Sequence, residues 1–158
     1  MTDVVELEAR PAADQPTSVA LHCIDARYQP VFDELLREVL GENPFRLSLP
    51  GGSWWLAKAA GRTEGRFKRI VLGRLPTRDF LDSFLAGRDV RRAVLLGHGE
   101  CVWYREAEPR LSAGDLIRLQ GEHMVQARDE IKRWLPRLEV SGYIVQAEGD
   151  GSAGRRIF

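Results

Sequence analysis

Charge of one sign is what this sequence most plainly lacks: 23 Lys and Arg are matched by 23 Asp and Glu, so the formal net charge is zero. A nucleic-acid-binding chain would carry a basic excess or stripe, so no nucleic-acid partner is expected. Zero charge also removes a brake on self-association. Long apolar runs are missing as well. None approaches the roughly 20 residues that span a bilayer, so no membrane partner is expected. Residues 1–17 are polar and acidic, without the basic start and apolar stretch of a secretory signal, and the expected location is cytoplasmic. Cysteine is scarce. The two present, Cys23 and Cys101, are too few for the disulfide scaffold of a small secreted chain. In a reducing compartment such cysteines are either inert core, a common fate of the free thiol, or a functional pair.

What is present is an ordinary globular composition, 44% apolar and 29% charged, in a 158-residue chain that fits one domain. Residues 1–17, with Pro11 and Pro16, read as a flexible N-terminal arm. Residues 18–148 read as a single α/β domain, and the Gly-rich 149–158 as a loose tail. Ser18–Ile24 has the apolar, β-branched character of a buried strand and ends in the polar turn Asp25-Ala26-Arg27. Val31, Leu35, Leu36, Val39 and Leu40 recur at helical spacing between Pro30 and Gly41. Phe45–Leu49 is a second strand, broken by Pro50-Gly51-Gly52, and Ser53 is a candidate cap for a helix running through Trp54 towards Ala60. After a loop at Gly61–Gly65, Phe67–Leu72 fits either a strand or an extended connection. Thr77 is placed to cap a helix carrying Phe80, Leu81, Phe84 and Leu85 and ended by Gly87. Arg92–Leu96 is a third strand, turned by Gly97-His98-Gly99. Ser112 opens a long helix through Ile117, Leu119, Val125, Ile131 and Leu135, stopped by Pro136, and Glu139–Gln146 alternates as the last strand. Strands separated by helices imply an α/β layered fold with a mostly parallel sheet. Sites in such folds gather beyond the carboxyl ends of strands.

Two motifs fall at those ends: Cys23-Ile24-Asp25-Ala26-Arg27 after the first strand, and His98-Gly99-Glu100-Cys101 after the third. Two thiolates and an imidazole suit zinc, which prefers tetrahedral N and S ligands. The spacing of His98 and Cys101 lets both reach one ion across a turn. Such a set, Cys23, His98 and Cys101, leaves one coordination position open, as catalytic zinc sites do. Asp25 and Arg27, on the same side of an extended segment, would form a charge-assisted pair beside the metal. Held by Arg27, Asp25 could orient a zinc-bound hydroxide. Released, its carboxylate could fill the open position.

The pairing of C-x-D-x-R with a later G-H-x-x-C resembles the β-class carbonic anhydrases. Gly41-Glu42, Arg46 and Pro50-Gly51-Gly52 resemble that family's G-D-x-x-x-x-R-x-A-G segment with a slight offset, and Val90 to Cys101 resembles its strand leading to the histidine. The likeness runs from about Ser18 to Tyr104. It implies a parallel sheet with an antiparallel edge strand, a dimer or dimer of dimers, and zinc held by Cys23, His98 and Cys101. It also implies Asp25 and Arg27 as catalytic residues and attack of zinc hydroxide on CO2 to give bicarbonate. The chain departs from the family after Cys101, where bulky Val102, Trp103 and Tyr104 replace small residues, and at Leu47-Ser48-Leu49-Pro50. Those changes leave two alternatives open. One is a hydrolase of a related linear molecule such as carbonyl sulfide or carbon disulfide. The other is a non-catalytic regulatory or binding protein stabilised by zinc.

The remaining candidates read more modestly. His22 points away from Cys23 on a strand and suits a structural role better than a proton shuttle. His123 reads as a partly exposed helical histidine. Trp54, Trp55, Trp103, Tyr104 and Trp134 suit core or interface, and their number favours an oligomer. Gly51-Gly52 fits either a tight turn or a cradle of N–H groups for an anion. Glu100 lies between two ligands, either beside the metal or solvated. His98-Gly99-Glu100 also matches half of a zinc deaminase motif, but the required P-C-x-x-C does not follow.

Overall fold

The computed structural model describes residues 14–60, Leu85 and 87–158. Five strands, β1 (Ser18–His22), β2 (Phe45–Ser48), β3 (Arg92–His98), β4 (Glu139–Glu148) and β5 (Gly151–Arg156), form one sheet in the order β2-β1-β3-β4-β5. β2, β1, β3 and β4 are parallel: Ala20 lies between Arg46 and Val94, and Val94 pairs Ser141. β5 is antiparallel to β4, with Ala153 opposite Gln146. The α/β class and the antiparallel edge therefore stand as expected. The tail differs: Gly151–Arg156 within it is a strand, not a loose end. Its sequence, Gly-Ser-Ala-Gly, has little β propensity, and backbone pairing to β4 supplies what its side chains do not.

The central strands are buried on both faces, as parallel sheets require. Alternate residues serve opposite layers. Ala20, Val94, Leu96 and Val145 face α1 (Gln29–Leu40) through Phe32, Leu36 and Leu40. Val19, Leu21, Ala93, Leu95 and Ile144 face α2 (Trp54–Ala60) and the long helix through Leu56, Met124, Ala127 and Ile131. α1 starts with Pro30 in its first turn and ends at Gly41 in the left-handed region, φ 69°. Glu42, just beyond, accepts hydrogen bonds from Thr17 N, Thr17 Oγ1 and Ser18 Oγ, and so ties the entry of β1 to the end of α1.

Two short elements follow the sheet ends. Asp25 caps a single 3-10 turn, Ala26–Tyr28, rather than lying in an extended segment. After Cys101 comes α3 (Val102–Ala107), which sequence patterning did not reveal. α4 (Ala113–Trp134) is capped by Ser112 Oγ, which accepts the Asp115 N–H at 3.1 Å. Ser53 precedes α2 as expected, but its buried hydroxyl has no hydrogen-bond partner among the described residues; its backbone carbonyl accepts Ala57 N instead. Phe67–Leu72 and most of the helix expected after Thr77 lie outside the described residues. Among the described residues, no helix is long and apolar enough to cross a membrane.

Candidate metal centre

β1 and β3 end at different heights, and the difference builds the site. β1 stops at His22, placing Cys23 at its carboxyl end. β3 runs on past Leu95, its last partner on β1, to His98. The chain then turns through Gly99, whose N–H donates to Val145 O at 2.8 Å, and Glu100, a non-glycine residue at φ 53°. That left-handed residue brings Cys101 back under His98 at the start of α3. The Cys23 Sγ, the Cys101 Sγ and one His98 ring nitrogen lie within 4.8 Å of one another, and all three residues are buried. The two sulfurs are 3.9 Å apart.

The histidine is oriented for a ligand. Its Nδ1 lies 2.8 Å from Gly99 O, a hydrogen bond that puts the ring proton there. Nε2, buried, has no hydrogen-bond partner among the described residues. A buried acceptor with no donor is costly, and a metal ion between Nε2 and the two sulfurs would satisfy it. The backbone of His98 is clamped by Gln120 on α4, whose Oε1 accepts His98 N–H at 3.2 Å while its Nε2 donates to His98 O at 2.9 Å.

The sulfurs lie among N–H donors. Gly51 N donates to Cys23 Sγ at 3.3 Å. A hydrogen bond from Cys101 holds the Cys23 thiol far below its usual range against the effect of burial, helped by the neighbouring His98 side chain and by backbone N–H groups of Asp25 and Gly51. The same shared hydrogen bond, together with burial, pushes Cys101 up, while the N–H groups of Tyr104 and Trp103 pull it down. The pair thus gives up one proton readily in the absence of an ion. Gly51-Gly52 is a tight turn, closed by Gly52 N–H on Leu49 O at 2.8 Å, and it lends the Cys23 sulfur one N–H, that of Gly51. Gly52, at φ 53°, is required there: a Cβ would sit 3.2 Å from Cys23 N and 3.3 Å from Leu96 O.

Asp25 and Arg27 meet in a bidentate pair, Arg27 Nε to Asp25 Oδ1 at 3.0 Å and Nη2 to Oδ2 at 2.7 Å. Arg27 Nη2 also donates to Glu100 O at 3.3 Å, linking the two motifs. Arg27 holds the Asp25 carboxyl below the usual carboxylate range. Gln29 Nε2 donates to the carbonyls of both Cys23 and Asp25 at 3.0 Å, which fixes the segment between them. Beside this pair opens a cleft of about 600 Å³, walled by Ile24, Pro50, Val102 and Trp103, with Cys23, Asp25, Arg27 and Glu106 also lining it.

Other residues differ from their sequence reading. His22 is structural, as expected: it is fully buried, with Nδ1 2.9 Å from Cys23 O and Nε2 3.2 Å from Ser48 Oγ. His123 is not a partly exposed residue. It is 5% exposed, with Nδ1 3.0 Å from the hydroxyl of buried Tyr104. Tyr104 turns away from the cleft, whereas Trp103 packs edge-on against Trp54 and alongside Trp55 beneath Gly51. Gln120 and His123 went unrecognised as supports of the site. Their signal was present: both are polar residues on the buried stripe Leu116, Met124, Ala127 and Ile131 of α4.

The sheet order and the antiparallel edge match the β-carbonic anhydrase fold. Solved structures bear this out. The β-carbonic anhydrase CcaA superposes with a TM-score of 0.51 at 12% identity, over 85% of this chain and 76% of that one. The β-carbonic anhydrase CafD of Aspergillus fumigatus gives 0.51 at 14% identity, over 95% and 94%. Isoform I from Trichomonas vaginalis gives 0.50 at 13% identity, over 97% and 88%. No protein-family model and no curated protein sequence matches the chain. The likeness is one of fold.

Proposed function

We propose that the chain is a zinc-dependent carbonic anhydrase-like enzyme that hydrates CO2 to bicarbonate, with Cys23, His98 and Cys101 as metal ligands and Asp25 and Arg27 as catalytic residues. The observation that carries this reading is the buried Cys–His–Cys set with ligand atoms within 4.8 Å, one of them a histidine nitrogen with no hydrogen-bond partner among the described residues. The donor set suits zinc. Bound zinc would supply the Lewis acidity that brings the pKa of water towards ~7. The chain's own groups do the rest. N–H groups of Asp25 and Gly51 on one sulfur, and of Trp103 and Tyr104 on the other, withdraw charge from the thiolates. That counters the electron donation by which thiolates weaken a metal's acidity. Asp25, locked by Arg27 and kept ionised, is an acceptor that fixes the direction of the attacking water. The apolar cleft wall of Ile24, Pro50, Val102 and Trp103 suits a small, uncharged, linear substrate.

The same wall keeps a second reading in play, hydrolysis of carbonyl sulfide or carbon disulfide, which are larger and more polarisable. Zinc that only stabilises a regulatory protein is less well supported. Asp25 is engaged by Arg27 and is not among the clustered donor groups, so the set is open on one side. Exposed Ile24 and Val102, 54% and 52% accessible at the cleft mouth, fit burial against a second copy, and we take the active form to be at least a dimer in a reducing, cytoplasmic setting. The test is metal analysis of Cys23→Ser, His98→Ala and Cys101→Ser, joined to turnover of CO2, carbonyl sulfide and carbon disulfide by the parent. About one zinc per parent chain, lost in each variant, supports the centre. Full zinc in Cys101→Ser overturns it, and the preferred substrate separates the readings.

A further inference from the structure

We propose that Tyr28 is a positioning residue for the metal centre: its ring clamps the imidazole of His98 and holds Nε2 on the line towards the two sulfurs. The inference rests on the metal-centre reading above, and one arm of its test does not. Tyr28 closes the 3-10 turn that begins at Asp25, so the segment carrying the Asp25–Arg27 pair also carries this ring. The Tyr28 and His98 ring centroids are 4.1 Å apart with planes tilted by 37°, a close, inclined contact. Phe32 of α1 meets His98 edge-on at 5.9 Å and 67° and lies 6.1 Å from Tyr28, so the three rings touch one another in a triangle. Phe32 is in turn 5.3 Å from His22, which joins the cluster to β1.

The clamp has a specific task. A histidine ring can turn about its last side-chain bond, whose potential is broad. The Nδ1 hydrogen bond to Gly99 O restrains that torsion at one edge of the ring. The clamp of Gln120 acts on the His98 backbone, not on the ring. Phe32, in edge contact, limits how far the ring moves but does not set its plane. Tyr28 sets the plane, and with it the aim of Nε2. Tyr28 also lies under the guanidinium of Arg27, whose Cζ is 5.9 Å from the ring centroid. One side chain therefore steadies both the ligand and the arginine that holds Asp25. Partial exposure of Tyr28 makes it replaceable without opening the core.

The experiment compares Tyr28→Phe, which keeps the ring face, with Tyr28→Leu, which keeps apolar volume without a plane. Tyr28→Met stands in if the leucine variant does not fold. Two readouts are used, neither of them activity. The first is the rate of zinc loss to a chelator, with the ligand-field bands of the cobalt-loaded protein. Support shell changes around metal-bound histidine cost roughly 10–100-fold in metal affinity, so the leucine variant should release zinc about 10-fold faster or more, with shifted cobalt bands, and the phenylalanine variant should match the parent. The second is the 15N tautomer signature of His98 in metal-free protein: a single Nδ1–H form in parent and Tyr28→Phe, and a mixture in Tyr28→Leu. Parental zinc release and a single tautomer in Tyr28→Leu would overturn the proposal. So would equal losses in Tyr28→Phe, which would assign the effect to the hydroxyl. A parent that takes up neither ion would refute the metal centre itself, and the tautomer comparison would still decide the role of Tyr28.

Discussion

Gln120→Met should destabilise the protein by about 2–4 kcal/mol even with no metal bound. Gln120 is 3% exposed, and both ends of its amide are spent on the backbone of one residue, His98. β3 overshoots β1 at this point, so no neighbouring strand supplies those hydrogen bonds on the β1 side. Methionine keeps the length and apolar packing of glutamine but can neither accept from His98 N–H nor donate to His98 O. Each buried group left unpaired costs about 1–3 kcal/mol. Part of the sum is offset because the glutamine amide no longer has to be desolvated. In a chain of this size the net loss corresponds to a fall in Tm of roughly 5–15 °C. The assay is urea unfolding followed by tryptophan fluorescence, in chelator so that metal linkage does not contribute. A loss below about 0.5 kcal/mol would refute the reasoning, because it would mean that water or a relaxed backbone satisfies His98 without Gln120.

Arg27→Ala removes both side-chain hydrogen bonds to Asp25 and the bond to Glu100 O; it should bind zinc at least as tightly as the parent in chelator competition while losing most CO2 hydration, since the freed carboxylate can close the open position. Gly142→Ala should cost about 1–3 kcal/mol by overpacking, because a Cβ there would lie 2.6 Å from Phe158 Cζ and 3.0 Å from Met124 Cε; Phe158→Leu should recover part of the loss in a double-mutant cycle. Glu42→Gln should lose about 1–2 kcal/mol at pH 7. Burial alone would raise the Glu42 carboxyl, but hydrogen bonds from Ser18 and Thr17, with Arg92 nearby, hold it below the usual range. A depressed folded pKa means that this stability is complete above the unfolded value of ~4.3 and disappears as pH falls through the folded value. Parent and variant should therefore converge in urea titrations as pH falls below the unfolded carboxylate value, and a gap unchanged with pH would contradict the assignment.

The site was more legible in the sequence than the structure around it. Cys23, His98 and Cys101 could be brought together because their motifs follow the ends of parallel strands, and Asp25 and Arg27 could be read as a pair because Cys23 adjoins them, although they meet across a 3-10 turn and not along an extended segment. Strands with β-branched cores, Ser18–His22 and Arg92–His98, were equally plain, although β3 extends two residues beyond Leu96 because Gly97 continues the pairing with β4. β5 was missed because its Gly-Ser-Ala-Gly sequence offers no side-chain pattern and its pairing is set by a neighbour. α3 was missed because six residues give less than two helical turns of periodicity. Gln120 and His123 were missed because a polar residue within an apolar stripe has no visible partner until the facing element is known. Those two supply the support that ligand spacing alone does not encode.

The central claim is tested most directly by stopped-flow CO2 hydration of the zinc-loaded parent beside Asp25→Asn at equal zinc content. Asp25 is not among the clustered donors, so the variant should keep its metal and its fold. An asparagine cannot pair ionically with Arg27 or accept in the same way. Turnover should therefore fall on the order of 10²-fold or more, the scale of a positioned proton-handling or electrostatic group. CO2 hydration by the zinc-loaded parent no faster than buffer, or equal turnover in parent and variant, would contradict the account.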